Sequence, residues 1–107
     1  MRILVIIGLI SVSHIVYGFT GASLPYGNAI TYAQKEDWPA AHDALKKLVN
    51  NYPDRPDIIY DTGVAAHRMQ DYQKARAYFK DAAQNAAASL SLQEQALFNA
   101  GNAAVAL

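Results

Sequence analysis

The stretch Asp37-Trp38-Pro39-Ala40-Ala41-His42-Asp43-Ala44-Leu45 returns as Asp71-Tyr72-Gln73-Lys74-Ala75-Arg76-Ala77-Tyr78-Phe79, each position displaced by 34 residues. An acid and an aromatic open both copies, Ala41 answers Ala75, Leu45 answers Phe79, and just beyond the stretch Leu48 answers Ala82. From the aromatic onward these positions follow at spacings of three, four and three, one face of an α-helix. Each copy therefore predicts a helix with an apolar stripe to bury against another helix. Asp37 and Asp71 stand where a carboxylate can accept from the free amides of a first helical turn. Pro39 fits that turn because its missing N–H is not needed there.

Upstream of the second copy, Asp54-Arg55-Pro56-Asp57 opens another helix, with Asp54 as the expected cap. Ile59, Gly63 and Ala66 follow at spacings of four and three. A glycine inside a helix costs about 1 kcal/mol relative to alanine, so Gly63 implies that a second helix crosses closely there. Pro53 stops the helix before it. Downstream, Phe98-Asn99-Ala100-Gly101-Asn102-Ala103 resembles Tyr60-Asp61-Thr62-Gly63-Val64-Ala65, displaced by 38 rather than 34, so four extra residues fall between Asn85 and Leu92. Ser91 followed by Glu94 reads as a capping box and starts the last helix near Leu92. The expected helices are 24–36, 38–51, 55–69, 71–87 and 92–107.

Helix, short turn, helix and proline at a period of roughly 34 residues is the tetratricopeptide spacing, and residues 23–107 resemble the tetratricopeptide repeat (TPR) family. Gly63, Ala75, Phe79 and Ala82 match the family's small and large positions in the second unit. In the first, the matches are Ala29, Ala41, Leu45 and Leu48, with Tyr32 and Pro53 at the helix-A aromatic and the terminal proline. Thr62 and Asn28 replace the family's leucine, and Ala66 replaces an aromatic. The resemblance implies an all-α helix-turn-helix array of about five helices, an α-solenoid wound as a right-handed superhelix. Repeat 1 would cover about 23–54, repeat 2 about 55–89 and a partial repeat 3 about 92–107. The last unit has no partner helix after it, and its ending Ala103-Ala104-Val105-Ala106-Leu107 carries no charge. Of a capping helix and a piece of a longer array, this favours the second. Behind a hydrophobic N-terminus, Phe98-Asn99-Ala100-Gly101-Asn102 also resembles the membrane-associated TPR proteins of the Bat (aerotolerance) group.

Composition limits what the chain can do. With 107 residues, nine basic against nine acidic side chains and no cysteine, it is one small domain without a disulfide framework, thiolate metal site or cysteine nucleophile. Zero net charge leaves no broad basic field for a nucleic-acid backbone. The 52% apolar content joins two unlike parts. Residues 1–22 hold one charge, Arg2, and an apolar run from Ile3 to Phe19, in the pattern of a secretory signal peptide. Cleavage after Val16-Tyr17-Gly18 would release Phe19, and cleavage after Thr20-Gly21-Ala22 would release Ser23; the second is preferred for its small flanking residues. The alternative is an uncleaved single-pass anchor, but a span needs roughly 20 apolar residues. The expectation is therefore an exported protein, periplasmic or extracellular, with membrane association through residues 3–19 as the alternative.

TPR domains hold peptides or helices on the concave face lined by their first helices. The resemblance transfers that face to Tyr26, Ile30, Ala33 and Gln34, then Tyr60, Val64, His67 and Arg68, then Phe98, Asn102 and Val105. Tyr26, Tyr60 and Phe98 would form an aromatic row, unless they pack between adjacent repeats, and Arg68 and Asn102 would bond a ligand backbone. Tyr26 and Tyr60 occupy positions where a carboxylate clamp needs lysine, so no clamp is expected. His42 reads as a surface residue on its helix, and it lies 25 residues from His67 without a ligand cluster. Asp57 and Asp61, at i and i+4, can share a cation only weakly. Lys46 and Lys47, and the group Lys74, Arg76 and Lys80, read as solvated faces. No catalytic, metal or cofactor motif emerges. The expected function is a non-enzymatic adaptor for a protein or peptide partner. The alternative is a structural subunit that docks or self-associates through its open C-terminal helix.

Overall fold

The structure, a computed structural model, describes residues 23–107, so the leader or anchor expected over 1–22 lies outside the described residues. These fold as five α-helices: α1 (Ser23–Gln34), α2 (Trp38–Asn51), α3 (Pro56–Arg68), α4 (Tyr72–Gln84) and α5 (Leu90–Ala106). Each packs on the next in sequence. No helix among the described residues is long and apolar enough to cross a membrane.

The duplicated stretch makes α2 and α4. Ala41, Leu45 and Leu48 on α2, and Ala75, Phe79 and Ala82 on α4, are buried as the spacing predicts. Asp37 accepts from the Ala40 amide and Asp71 from the Lys74 amide, both at 3.3 Å. The turns before these caps are copies of each other. Glu36 (φ 59°) and Gln70 (φ 63°) sit in the left-handed region. The amide of Asp37 donates to the Tyr32 carbonyl and that of Asp71 to the Ala66 carbonyl, both at 2.9 Å. Glu36 likewise bonds to Ala33 and Gln70 to His67, at 3.0 Å, which completes a Schellman closure. One aspartate thus ends a helix with its N–H and starts the next with its carboxylate.

Two apolar clusters form the interior. The first joins Tyr26, Ala29 and Ala33 of α1, Ala41, Leu45 and Leu48 of α2, and Ile58 and Ala65 of α3. The second joins Ile59, Tyr60 and Ala66 of α3, the α4 stripe, and Ala96, Ala100 and Ala103 of α5. Ile58 and Ile59 thus face opposite clusters, so α3 is buried on both sides. A Cβ at Gly63 would lie 2.9 Å from the Phe79 ring and 3.1 Å from Tyr78 Cβ, the close crossing its position implies.

Several local expectations need correction. Asp54 does not cap α3; Arg55 holds the cap position without a side-chain cap bond and pairs with Asp57 instead, Nη2 to Oδ2 at 3.0 Å. The pair removes Asp57 from any cation site shared with Asp61. α4 stops at Gln84 rather than 87 because Asn85 turns extended, accepts from the Ala87 amide and donates to the Pro53 carbonyl, each at 3.0 Å. This tertiary bond to the α2–α3 turn outweighs the helix preference of the alanines that follow. α5 begins at Leu90, capped by Ser89 through the Leu92 amide at 3.1 Å, rather than by Ser91. His42 is buried, not on the surface. Tyr78 from α4 covers it edge-on at 5.9 Å, and its Nε2 has no hydrogen-bond partner.

Candidate functional site

The site begins with the way neighbouring odd-numbered helices are tied together. Tyr26 on α1 donates its hydroxyl to Asp61 Oδ2 on α3, and Asn99 Nδ2 on α5 donates to the Tyr60 hydroxyl on α3. Tyr26 and Tyr60 are 34 apart, and Asp61 and Asn99 are 38 apart, the two displacements of the repeat. One tyrosine-to-Asx bond therefore recurs at both junctions. Both tyrosines are almost fully buried, at 1% and 2% exposure. They hold the array together and do not form an exposed aromatic row. Phe98, the next position in that series, is 71% exposed and has no hydroxyl to extend it.

Between α3, the start of α4, and α5 lies a groove of about 550 Å³. Val64, His67 and Arg68 line it from α3, Asn99, Asn102 and Ala106 from α5, and Gln70 and Tyr72 from the α3–α4 turn and the start of α4, over a floor of the buried Tyr60 and Phe79. Tyr60, Val64, His67, Arg68 and Asn102, five of the residues expected on a binding face, thus meet here. The others do not. Tyr26 is in the first core, Ile30 is half-buried against that core, Ala33 is buried, and Gln34 is exposed on α1. Phe98 and Val105 are exposed outside the groove lining. Gln70, Tyr72 and Asn99 were not anticipated from sequence. Asn99 was legible in principle, since it occupies the Asp61 position of the next unit.

The groove walls are polar but ordered. Asn102 Nδ2 donates to Asn99 Oδ1 at 3.4 Å, and Asn99 in turn holds Tyr60, so an amide ladder runs from surface to floor. The Tyr72 ring meets His67 edge-on at 4.9 Å, and the Arg68 guanidinium lies 5.5 Å from the centre of the Trp38 ring. That stacking fixes the cation at the groove edge. Burial, reinforced by Arg68, lowers the His67 pKa below its ordinary 6.5, so the imidazole is neutral at pH 7. Burial, with Asp61 nearby, raises Tyr60 to about 12, which keeps its phenol protonated. Among the described residues lining the groove there is no carboxylate.

A second hollow of about 530 Å³ lies between Pro25, Asn28 and Tyr32 of α1 and Asp43, Lys47 and Asn51 of α2. Its walls mix charges of both signs. Comparison with protein-family models, curated proteins and solved structures gives no match to this chain.

Proposed function

We propose that this chain is a non-enzymatic repeat adaptor of the TPR type, which holds an extended segment of a protein partner in the groove between α3 and α5. The observation that carries this reading is the Asn102–Asn99–Tyr60 ladder beside Arg68. It presents amide donors and acceptors, a cation and an apolar floor along one trough, the set that a peptide backbone and its side chains require. The phased 34-residue copies and the matching Schellman turns support the TPR assignment. An exported location, set by residues 1–22, belongs to the same proposal.

The test is selection of binders from a random-peptide display library on the full chain, followed by backbone NMR titration with the enriched peptide. Shifts concentrated at His67, Arg68, Asn99 and Asn102, with binding weakened by Asn102→Ala, would support the reading. Asn102 is exposed, so this change leaves the core intact. Enrichment of no sequence, or shifts centred on α1 and α2, would reject it.

A further inference from the structure

His67 is a titratable group in the groove that the fold does not use. It is half-buried against the Tyr72 ring, and neither of its ring nitrogens makes a hydrogen bond among the described residues. It also departs from the repeat. Displacement by 34 and by 38 places Ala33 and Val105 at its position, and Gln34 and Ala106 at that of Arg68. An imidazole beside a guanidinium is therefore particular to α3, where both line the groove. No other basic side chain and no carboxylate lines it. From α4 the Tyr72 phenol faces His67, α5 brings only Asn99, Asn102 and Ala106, and α2 adds nothing to the lining. Asp71, in the α3–α4 turn, accepts from the Lys74 amide and lies 3.8 Å from Lys74 Nζ. Arg68 is the one charge that shifts His67, and with burial it favours the neutral ring. The groove carries a fixed cation and a second one in reserve, without an acid of its own to balance them, whereas the hollow between α1 and α2 has both Asp43 and Lys47 in its lining.

We propose that the groove selects a partner segment carrying an acidic side chain, and that its grip tightens on acidification because His67 then takes up a proton against that carboxylate. This rests on the adaptor reading and adds the chemistry of the bound segment. Charge complementarity selects the occupant. On its own the groove disfavours a proton on His67, because burial and Arg68 both oppose it. A carboxylate seated beside the two groups reverses that balance, since it accepts from an imidazolium N–H and offsets both positive charges. By linkage, a ligand that makes protonation easier is itself bound more tightly by the protonated chain. Aspartate and glutamate side chains stay ionised down to about pH 5, so the charge on the segment persists while His67 titrates. A basic segment meets the opposite: Arg68 repels it, and acidification adds His67 to the repulsion.

Random-peptide display on the full chain, run in parallel at about pH 7.5 and about pH 5.5, brackets the imidazole range and tests it. Every displayed segment is flanked on both sides, so that only side chains supply carboxylates. The expected result is a shared aspartate or glutamate among segments enriched at the lower pH. An enriched peptide should bind roughly fivefold more tightly there than at the higher pH by fluorescence anisotropy, the worth of one partly exposed ion pair. His67→Gln, which keeps a polar side chain at a half-buried position, should make the two affinities equal. Changing the peptide's acid to its amide should do the same while leaving the protein untouched. Far-UV circular dichroism that is the same at both pH values shows that folding is not what is being read. Segments enriched without a shared acid, an affinity that does not rise on acidification, or a rise that survives either change would overturn the proposal and leave the adaptor reading standing. Enrichment of no segment at either pH would reject both.

Discussion

α3 and α5 descend from one sequence pattern and live in different surroundings. Every residue of α3 from Pro56 to Ala66 is buried except half-buried Val64, because α1 and α2 cover one side and α4 and α5 the other. α5 buries only Ala96, Ala100 and Ala103. The same aromatic and the same glycine are thus core on one helix and surface on the other. A repeat position acquires its energetic value from the helix that comes to lie on it, not from its residue type.

The largest expected contrast is at the aromatic. Tyr60→Ala should cost about 3–5 kcal/mol, since it opens a cavity against Phe79, whose ring is 5.2 Å away. Phe98→Ala, measured dilute, should change stability by less than about 0.5 kcal/mol. Equal losses in urea unfolding would remove the distinction between the helices.

The glycines should differ in sign. Gly63→Ala places a methyl 2.9 Å from the Phe79 ring, and overpacking costs about 1–3 kcal/mol, more than its helix-propensity gain. Gly101→Ala meets open space and should stabilise by up to about 1 kcal/mol. A gain at Gly63 matching that at Gly101 would mean that α4 yields freely.

Asp61 and Asn99 extend the comparison to pH. Burial raises the Asp61 pKa well above its ordinary 3.8; the Tyr26 hydrogen bond and Arg55 oppose the shift, and Asp57 adds to it. Oδ1 has no partner. A carboxyl whose folded pKa exceeds its unfolded value favours folding fully below the unfolded value, and this contribution is lost as pH rises towards the folded pKa. Asp61→Asn, which makes the first junction resemble the second, should remove that decline above pH 3.8. His42 acts in the opposite direction. Burial lowers its pKa, so its contribution is present above pH 6.5 and falls away as pH drops below it. Urea midpoints of wild type and Asp61→Asn from pH 4 to 8 should therefore diverge from a common value at the acid end; parallel curves would place no titration at Asp61.

The smallest effect is expected at Gln70. Its left-handed backbone costs a non-glycine residue about 1–2 kcal/mol, and glycine adds flexibility to the unfolded chain, so Gln70→Gly should stabilise by less than about 1 kcal/mol. A loss would show that the Gln70 side chain, which lines the groove, contributes contacts of its own.

Much of this was legible along the chain. The 34-residue displacement, the Asp37 and Asp71 caps, the α2 and α4 stripes and the Gly63 crossing are local patterns, and periodicity reports them because a helix face is set by spacing alone. Of the eleven residues expected to share one face, Tyr60, Val64, His67, Arg68 and Asn102 come together around the groove, because they lie at helical spacing on α3 and α5. What the tertiary structure alone decided depended on residues far apart in sequence. Asn85 ended α4 because the Pro53 carbonyl lay within reach, and His42 was buried because Tyr78 crossed above it. Tyr26 and Tyr60 left the surface because an Asx residue on the next odd-numbered helix stood opposite each hydroxyl. Spacing determines which residues share a face, but only packing determines what that face meets, and the cost of burying a polar atom is set by the partner it finds there.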